Sequence, residues 1–335
     1  MQQIKPLTGL RGVAALWVAL FHSFGYFFIY TIFTPMYPHM PHIAFINPHQ
    51  PNLISYGFYG VDLFFTLSGF ILGYNYWNTF KVKGLRAYKQ FIVFRFARIY
   101  PAYIVVVALG AVGVALNLVY IPAAMGSMHN FLQSLPLMPV LLYNIFFTST
   151  AAAITPFWWY NAPLWSVSIE WVGYLLVPFL FLLLRRLRAG IIIIMSIAGV
   201  IILQLIVIYI PPHFMGKATH SIGIFFYGIP GLIRYGFEFL LGFGACLAFQ
   251  KFFSINKYLA DIITLLALIA LVICSAIYPK VALFLFLFGV FIIFIGHSYF
   301  LAKFFGSKIM LFLGKISYGM YLTHYVVLHI FIQYF

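Results

Sequence analysis

Long apolar runs, each of about 20 residues, follow one another along nearly the whole chain and are separated by short polar breaks. Such a run, if helical, crosses a hydrocarbon core of about 30 Å at about 1.5 Å per residue. The runs must be helices, because lipid offers no partners for free backbone groups and they are too continuous for alternating barrel strands. We therefore predict an all-α fold, a polytopic integral membrane helix bundle.

Only 7% of the residues are charged, against about 25% in soluble domains, which excludes a water-soluble globule. Residues 1–335 are predicted to form a single membrane-embedded domain with nine spans, or ten if residues 131–150 also cross. We interpret 131–150 as a re-entrant or interfacial piece, and the first run as a retained span, since it is too long for a signal peptide. The predicted spans are 7–30, 56–77, 99–120, 164–184, 189–210, 223–250, 258–277, 281–300 and 310–335.

The 19 Lys and Arg residues greatly outnumber the 4 Asp and Glu residues. They sit mainly in short breaks between spans, so they indicate topology and not nucleic-acid binding. With a cytosolic N-terminus, all of them except Lys217, Lys280 and Arg234 fall in cytosolic breaks. This pattern predicts a multi-pass protein of the inner (cytoplasmic) membrane whose N-terminus is cytosolic, with membrane lipids as its surroundings.

Arg11 and His22 lie in the first span, eleven residues apart. Eleven steps of about 100° end about 20° beyond three full turns, so the two side chains share one helix face. The rise of about 16 Å places Arg11 near the cytosolic rim and His22 near mid-membrane. A buried neutral imidazole can take a proton from an attacking hydroxyl, although His22 could equally hydrogen-bond across the bundle as packing.

Arg95 and Arg98 are three residues apart, just ahead of the predicted third span. Two guanidinium groups suit a phosphate-rich ligand, because each can donate paired hydrogen bonds to phosphate oxygens. The alternative is that both only anchor the span at the cytosolic surface.

Two polar stripes run along other spans. Glu170 shares a helix face with Ser166 and Tyr174 at spacings of four, and such a stripe can orient an imidazole or bind a substrate hydroxyl. In the last span, Tyr321 and His324 share a face, which could bring a second histidine near the first.

Other polar residues are predicted to be structural. Arg234 and Glu238 are four apart and are expected to form an ion pair inside a span. Asp62 and Ser68 lie in a span with small residues, for which helix packing is the default role. The loop histidines, with no carboxylate or cysteine beside them, make a poor ligand set, so we predict no metal; they are His39, His42 and His49.

Five short motifs occur along the chain in an order that resembles the acyltransferase 3 family of membrane acyltransferases. Each motif alone is weak, but the five together cover nearly the whole chain and make a specific signal. The first carries the family's pattern of an arginine, ten residues and a histidine. The motifs are Leu7–Ala14 with His22, Gly60–Phe70, Phe94–Pro101, Leu164–Glu170 and Ile316–His324.

The resemblance implies an enzyme that moves an acyl group, usually acetyl from acetyl-CoA, to a hydroxyl of an envelope or exported carbohydrate. It implies catalytic roles for His22, Arg11 and Glu170, and donor binding by Arg95, Arg98 and Arg11. The family commonly has ten core spans, against the nine predicted here. Substrate contact or structural support is expected from Ser68, Asp62, Ser166, Tyr174, Tyr321 and His324.

Within this hypothesis, His22 acts as a general base on the acceptor hydroxyl or carries the acyl group itself. The rival interpretation is a proton-coupled transporter or flippase for lipid-linked glycans, in which His22, Glu170 and His324 form a proton relay. A third is an inactive family member that acts as a scaffold. Expected partners are therefore acyl-CoA and a carbohydrate acceptor, with no nucleic acid.

Overall fold

The computed structural model describes residues 4–32, 53–115, 163–209, 228–251, 254–277 and 280–334. In these ranges the regular structure is helical, which confirms the all-α prediction there, and a 3-10 turn at Gly84–Ala87 joins the second and third helices. The helices are α1 Lys5–Ile32, α2 Tyr59–Lys83, α3 Tyr88–Ala115, α4 Leu164–Leu184, α5 Ala189–Tyr209, α6 Gly228–Lys251, α7 Lys257–Ile277, α8 Val281–Ile295, α9 Phe300–Phe305 and α10 Lys308–Tyr334.

Each predicted span overlaps one helix of 15 residues or more, and the short helix α9 links α8 to α10. Among the described residues, α4, α5, α6 and α7 are both long and apolar enough to cross a membrane. The total of nine spans stays a prediction, and residues 131–150 lie outside the described ranges.

The outer surface of the bundle is apolar. Val82, Leu183 and Ile194 are exposed by 83%, 75% and 67%, and large apolar side chains on most helices behave in the same way. A water-soluble protein rarely exposes apolar surface this continuously, so lipid is the solvent that suits this surface.

Two helix pairs run parallel. A Cβ atom added at Gly12 of α1 would lie 2.7 Å from the backbone nitrogen of Gly314 in α10. Ten residues further along both helices, His22 meets His324. In the same way, Asp62 at the start of α2 meets Arg234 in α6, and further along both helices Gly73 meets Phe243.

Other neighbouring pairs run antiparallel. Gly57, two residues before α2, packs on Phe21 of α1, whereas Gly60 of α2 packs on the earlier Val18. Helices α3 and α4 also run antiparallel, because the earlier Tyr88 of α3 contacts the later Phe179 of α4. The later Phe96 of α3 contacts the earlier Trp171 of α4. The end of α3 and the start of α4 therefore lie at the same end of the bundle.

These directions bring the basic residues together. The end of α2 and the start of α3 lie at the end of the bundle where α1 begins, and so does the end of α4. Lys5, Lys83, Lys89 and Arg185 therefore collect at one end, as the one-sided charge of the sequence predicts.

Glycine at position 242 is predicted to be required by the contact between α2 and α6. A Cβ atom there would collide with the Thr66 carbonyl oxygen of α2, so Gly242→Ala should lower the stability of the protein in detergent by about 1–3 kcal/mol. Thermal unfolding followed by size-exclusion chromatography measures this change.

The matched control is Gly236→Ala on the same helix, where no described atom lies within 4 Å of the added Cβ. That substitution should be neutral or slightly stabilising, because alanine favours a helix more than glycine does. Equal melting temperatures for the two variants would contradict the close approach of α2 and α6.

Candidate active site

A cavity of about 720 Å³, including its open mouth, lies between α1, α2, α3, α4 and α10. Its lining contains most of the site residues predicted from the sequence, drawn from five separate helices. They are Arg11, Ser68, Arg95, Arg98, Ser166, Glu170, Tyr174 and Tyr321. The structure therefore brings together side chains that are up to 310 residues apart in the chain.

The charged groups of the lining are three arginines and Glu170, so the cavity has an excess of positive charge. Arg98 is exposed, Arg11 is half-buried and Arg95 is only 1% exposed. Arg11 is close enough to Arg98 and Glu170 to interact with both electrostatically. An anionic group is the ligand that such a lining favours.

Arg95 is held by aromatic side chains. Its Nη2 donates to the Tyr76 hydroxyl at 3.1 Å, and its guanidinium carbon lies 5.3 Å from the Tyr76 ring, 5.8 Å from Phe91 and 5.7 Å from Tyr174. Cation–π contacts and this hydrogen bond stabilise a charge inside the bundle.

The predicted third span begins at residue 99, just after this arginine pair, and the helix that contains it begins earlier. Helix α3 begins at Tyr88, so Arg95 and Arg98 lie two to three turns inside it. Arg95 has partners on other helices within this stretch. Tyr76 is one such partner, and nothing in the local sequence indicates it.

The polar stripe on α4 faces the cavity, as predicted. The Tyr174 hydroxyl donates to Glu170 Oε1 at 2.5 Å. Ser166 Oγ lies 2.7 Å from the Tyr321 hydroxyl, which also donates to the Pro163 carbonyl at 3.1 Å. These bonds tie α4 to α10 and fix the direction of the Glu170 carboxylate.

Tyr318 was not among the predicted residues. It lines the cavity, and its hydroxyl donates to the Ile99 carbonyl of α3 at 2.9 Å. Its place on the same helix as Tyr321, three residues earlier, was the only available signal.

His22 and His324 form a pair beside the cavity and are not part of its described lining. Nε2 of His324 lies 3.1 Å from Nδ1 of His22, so the two histidines, whose meeting the sequence left only as a possibility, lie side by side. Tyr321 connects the cavity with the histidine pair, because it lines the cavity and its ring centroid lies 5.7 Å from that of His324.

Among the described residues, the hydrogen-bonding partners of His22 are His324 and the Val18 carbonyl oxygen, which lies 3.0 Å from Nδ1. Glu170 was predicted as a group that could orient the imidazole. The structure pairs Glu170 with Tyr174 instead, on the cavity side.

Asp62 belongs to a buried ion cluster. Arg234 donates to Glu238 Oε1 at 2.9 Å, which confirms the predicted pair, and also to Asp62 Oδ2 at 2.5 Å. None of the three is more than 2% exposed, and none lines the cavity. Asp62 therefore has a structural role, which residue spacing could not reveal because its partner is on another helix.

The fold and the site define an integral membrane helix bundle that encloses a positively charged cavity beside a buried histidine pair. The sequence model of a family described as "Acyltransferase domain", the acyltransferase 3 family, matches residues 4–335. The chain belongs to this family, which confirms the acyltransferase 3 class predicted from its motifs.

Curated relatives agree with this class. A protein of Staphylococcus aureus strain COL, named "Putative O-acetyltransferase", is 24% identical over 374 aligned positions that cover 98% of this chain and 51% of that protein. A protein from strain N315, also named "Putative O-acetyltransferase", is likewise 24% identical over 374 positions. The chain spans about half the length of these relatives.

"Protein 2 in picA locus" of Rhizobium radiobacter is 28% identical over 166 positions, which cover 49% of this chain and 72% of that protein. No solved structure matches the chain.

The ion cluster leads to a stability prediction. Arg234→Met keeps the size of the side chain but leaves two buried carboxylates without their cation, so it should lower stability by about 3–5 kcal/mol. Thermal unfolding in detergent measures the loss. Adding Asp62→Asn and Glu238→Gln should restore part of it, because amides carry no charge.

Arg188→Met, at an exposed arginine between α4 and α5, is the control and should change stability little. If Arg234→Met were as stable as that control, the cluster would not be a structural element.

Proposed function

We propose that this chain transfers an acetyl group from acetyl-CoA, bound from the cytosolic side, to a hydroxyl of an envelope or exported carbohydrate. The observation that supports the proposal most is the cavity lined by Arg11, Arg95 and Arg98, next to the His22–His324 pair, in a chain of the acyltransferase 3 family. The acetyl group is the one that the names of the relatives give for those proteins.

The cavity suits the phosphate-bearing part of such a donor. Phosphate groups favour arginine, which donates paired hydrogen bonds in a planar fork. Arg98 is exposed and Arg11 is half-buried, so both can meet an entering anion, whereas Arg95 is held by Tyr76 and adds a fixed charge behind them.

His22 is the proposed catalytic residue. It lies about 16 Å from Arg11 along α1, so an extended donor whose phosphates are bound near Arg11 can carry its thioester towards the histidine. The acceptor oxygen attacks the thioester carbonyl carbon, His22 takes the hydroxyl proton, and the carbon–sulfur bond breaks as the thiolate leaves. In the second route, His22 attacks the thioester carbonyl carbon and the carbon–sulfur bond breaks as the thiolate leaves. The acceptor oxygen then attacks the acyl carbon on His22, the carbon–nitrogen bond breaks, and the freed imidazole takes the hydroxyl proton.

The proposed orientation places the N-terminus in the cytosol, in the inner membrane. The support is the collection of Lys5, Lys83, Lys89 and Arg185 at one end of the bundle, because positive residues concentrate on the cytosolic side. The donor would then enter from the side where acyl-CoA is made.

A proton-coupled transporter for lipid-linked glycans is the second candidate. The observation that favours it is the buried histidine pair, since intramembrane ionisable groups often form proton relays. Purified protein separates the two functions, because a transporter releases no CoA thiol when it is given acetyl-CoA and a sugar acceptor.

His22→Gln should reduce the rate of acceptor-dependent thiol release at least about 100-fold, because the general base is lost. The measurement is thiol release by purified protein in lipid nanodiscs. Ser23→Ala, which removes a hydroxyl bonded only to the Ala19 carbonyl in the described contacts, is the neighbouring control and should keep the wild-type rate. Wild-type activity in His22→Gln would refute the assigned role.

Arg98→Gln should raise the KM for acetyl-CoA about tenfold or more and change kcat less, because a charge-assisted bond to the donor is lost. The control is Arg188→Gln, which removes an exposed charge outside the cavity lining. An unchanged KM for the donor in Arg98→Gln would separate this cavity from donor binding.

A further inference from the structure

The hydrogen bonds of the histidine pair indicate which ring nitrogens carry hydrogen. Nδ1 of His324 lies 2.7 Å from the carbonyl oxygen of Tyr321. A carbonyl oxygen can only accept, so Nδ1 of His324 carries a hydrogen and donates it. A neutral imidazole has one such hydrogen, and Nε2 of His324 therefore presents a lone pair.

That lone pair faces Nδ1 of His22 at 3.1 Å, and the Val18 carbonyl oxygen lies 3.0 Å from the same nitrogen. Both described neighbours of this nitrogen are acceptors. Nδ1 of His22 must then carry the hydrogen of that ring, which leaves the lone pair of His22 on Nε2.

We infer that His324 is a positioning residue that holds His22 in the Nδ1–H tautomer and makes Nε2 the nitrogen that takes the acceptor proton or the acyl group. This inference rests on the proposed function of His22. His324 acts through His22, since its own two ring nitrogens are engaged by Tyr321 and by His22.

The same contacts stabilise the ring after the reaction step. When Nε2 of His22 takes the hydroxyl proton, the imidazolium keeps its Nδ1–H directed at two acceptors, His324 Nε2 and the Val18 oxygen. Positive charge that forms on His22 is therefore met by a lone pair and a carbonyl dipole.

Ring packing holds this geometry. Phe21 and Tyr325 meet the His22 ring edge-on, with centroids 5.0 and 5.3 Å away. The parallel contact of α1 and α10 sets the height of both histidines, so His22 has little freedom to turn its Nδ1 elsewhere.

The test compares two variants of His324 in the full chain in nanodiscs. His324→Leu removes the acceptor and should lower kcat about 10–100-fold while the KM for acetyl-CoA stays unchanged, because the arginine cavity is intact. His324→Gln keeps an acceptor oxygen and should stay within about tenfold of the wild type. Thr323→Val, which removes a hydroxyl bonded to Gly319 of the same helix, is the control and should match the wild type.

Nitrogen-15 NMR of ring-labelled protein gives a second readout, with the His22 signals assigned by their loss in His22→Gln. The wild type should show hydrogen on Nδ1 and none on Nε2 of His22, and His324→Leu should show a mixture of tautomers. Hydrogen on Nε2 in the wild type would overturn the inference, and so would His324→Leu with wild-type kcat and tautomer.

The wild-type spectrum shows which ring nitrogen of His22 carries hydrogen even if His324→Leu does not fold. A wild type that releases no thiol would defeat the proposed function alone, because the tautomer is read without turnover.

Discussion

The close packing of α1 against α10 is the contact on which the site depends. Gly12 and Gly314 let the two backbones approach, and the helices run parallel from there, so that ten residues further along His22 meets His324. A slip of one residue on either helix would rotate its histidine by about 100° and separate the rings. The same register places Arg11 and Tyr321 beside the cavity, one from each helix.

Buried charge is handled in two ways in this bundle. Arg234 is neutralised by Asp62 and Glu238, and this cluster joins α2 to α6 away from the cavity. The arginines of the cavity outnumber their single carboxylate, Glu170, and Arg95 is stabilised mainly by aromatic rings. Since an ion inside a membrane is costly unless it is paired or faces a polar space, this imbalance is a functional signal, whereas the cluster is an element of stability.

The cationic cavity and the histidine pair are adjacent but separate. Tyr321 lies between them, bonded to Ser166 on the cavity side and packed against His324 on the other. This division suits a donor with a charged end and a reactive end, since each end meets a different chemical environment. It also explains why Glu170 and His22, both candidates from the sequence, have different partners.

The sequence by itself determined the helical class, the position of most helices, the family and most of the polar residues that line the cavity, because lipid permits few backbone structures and residues on one helix face can be read from their spacing. It also indicated the Arg234–Glu238 pair, whose members lie one turn apart. Only the tertiary structure decided which partners come from other helices: Tyr76 for Arg95, Asp62 for Arg234 and His324 for His22. Spacing along a chain carries no information about which helix packs beside which, so the contact of Arg95 with the Tyr174 ring of α4 could not be predicted from the sequence.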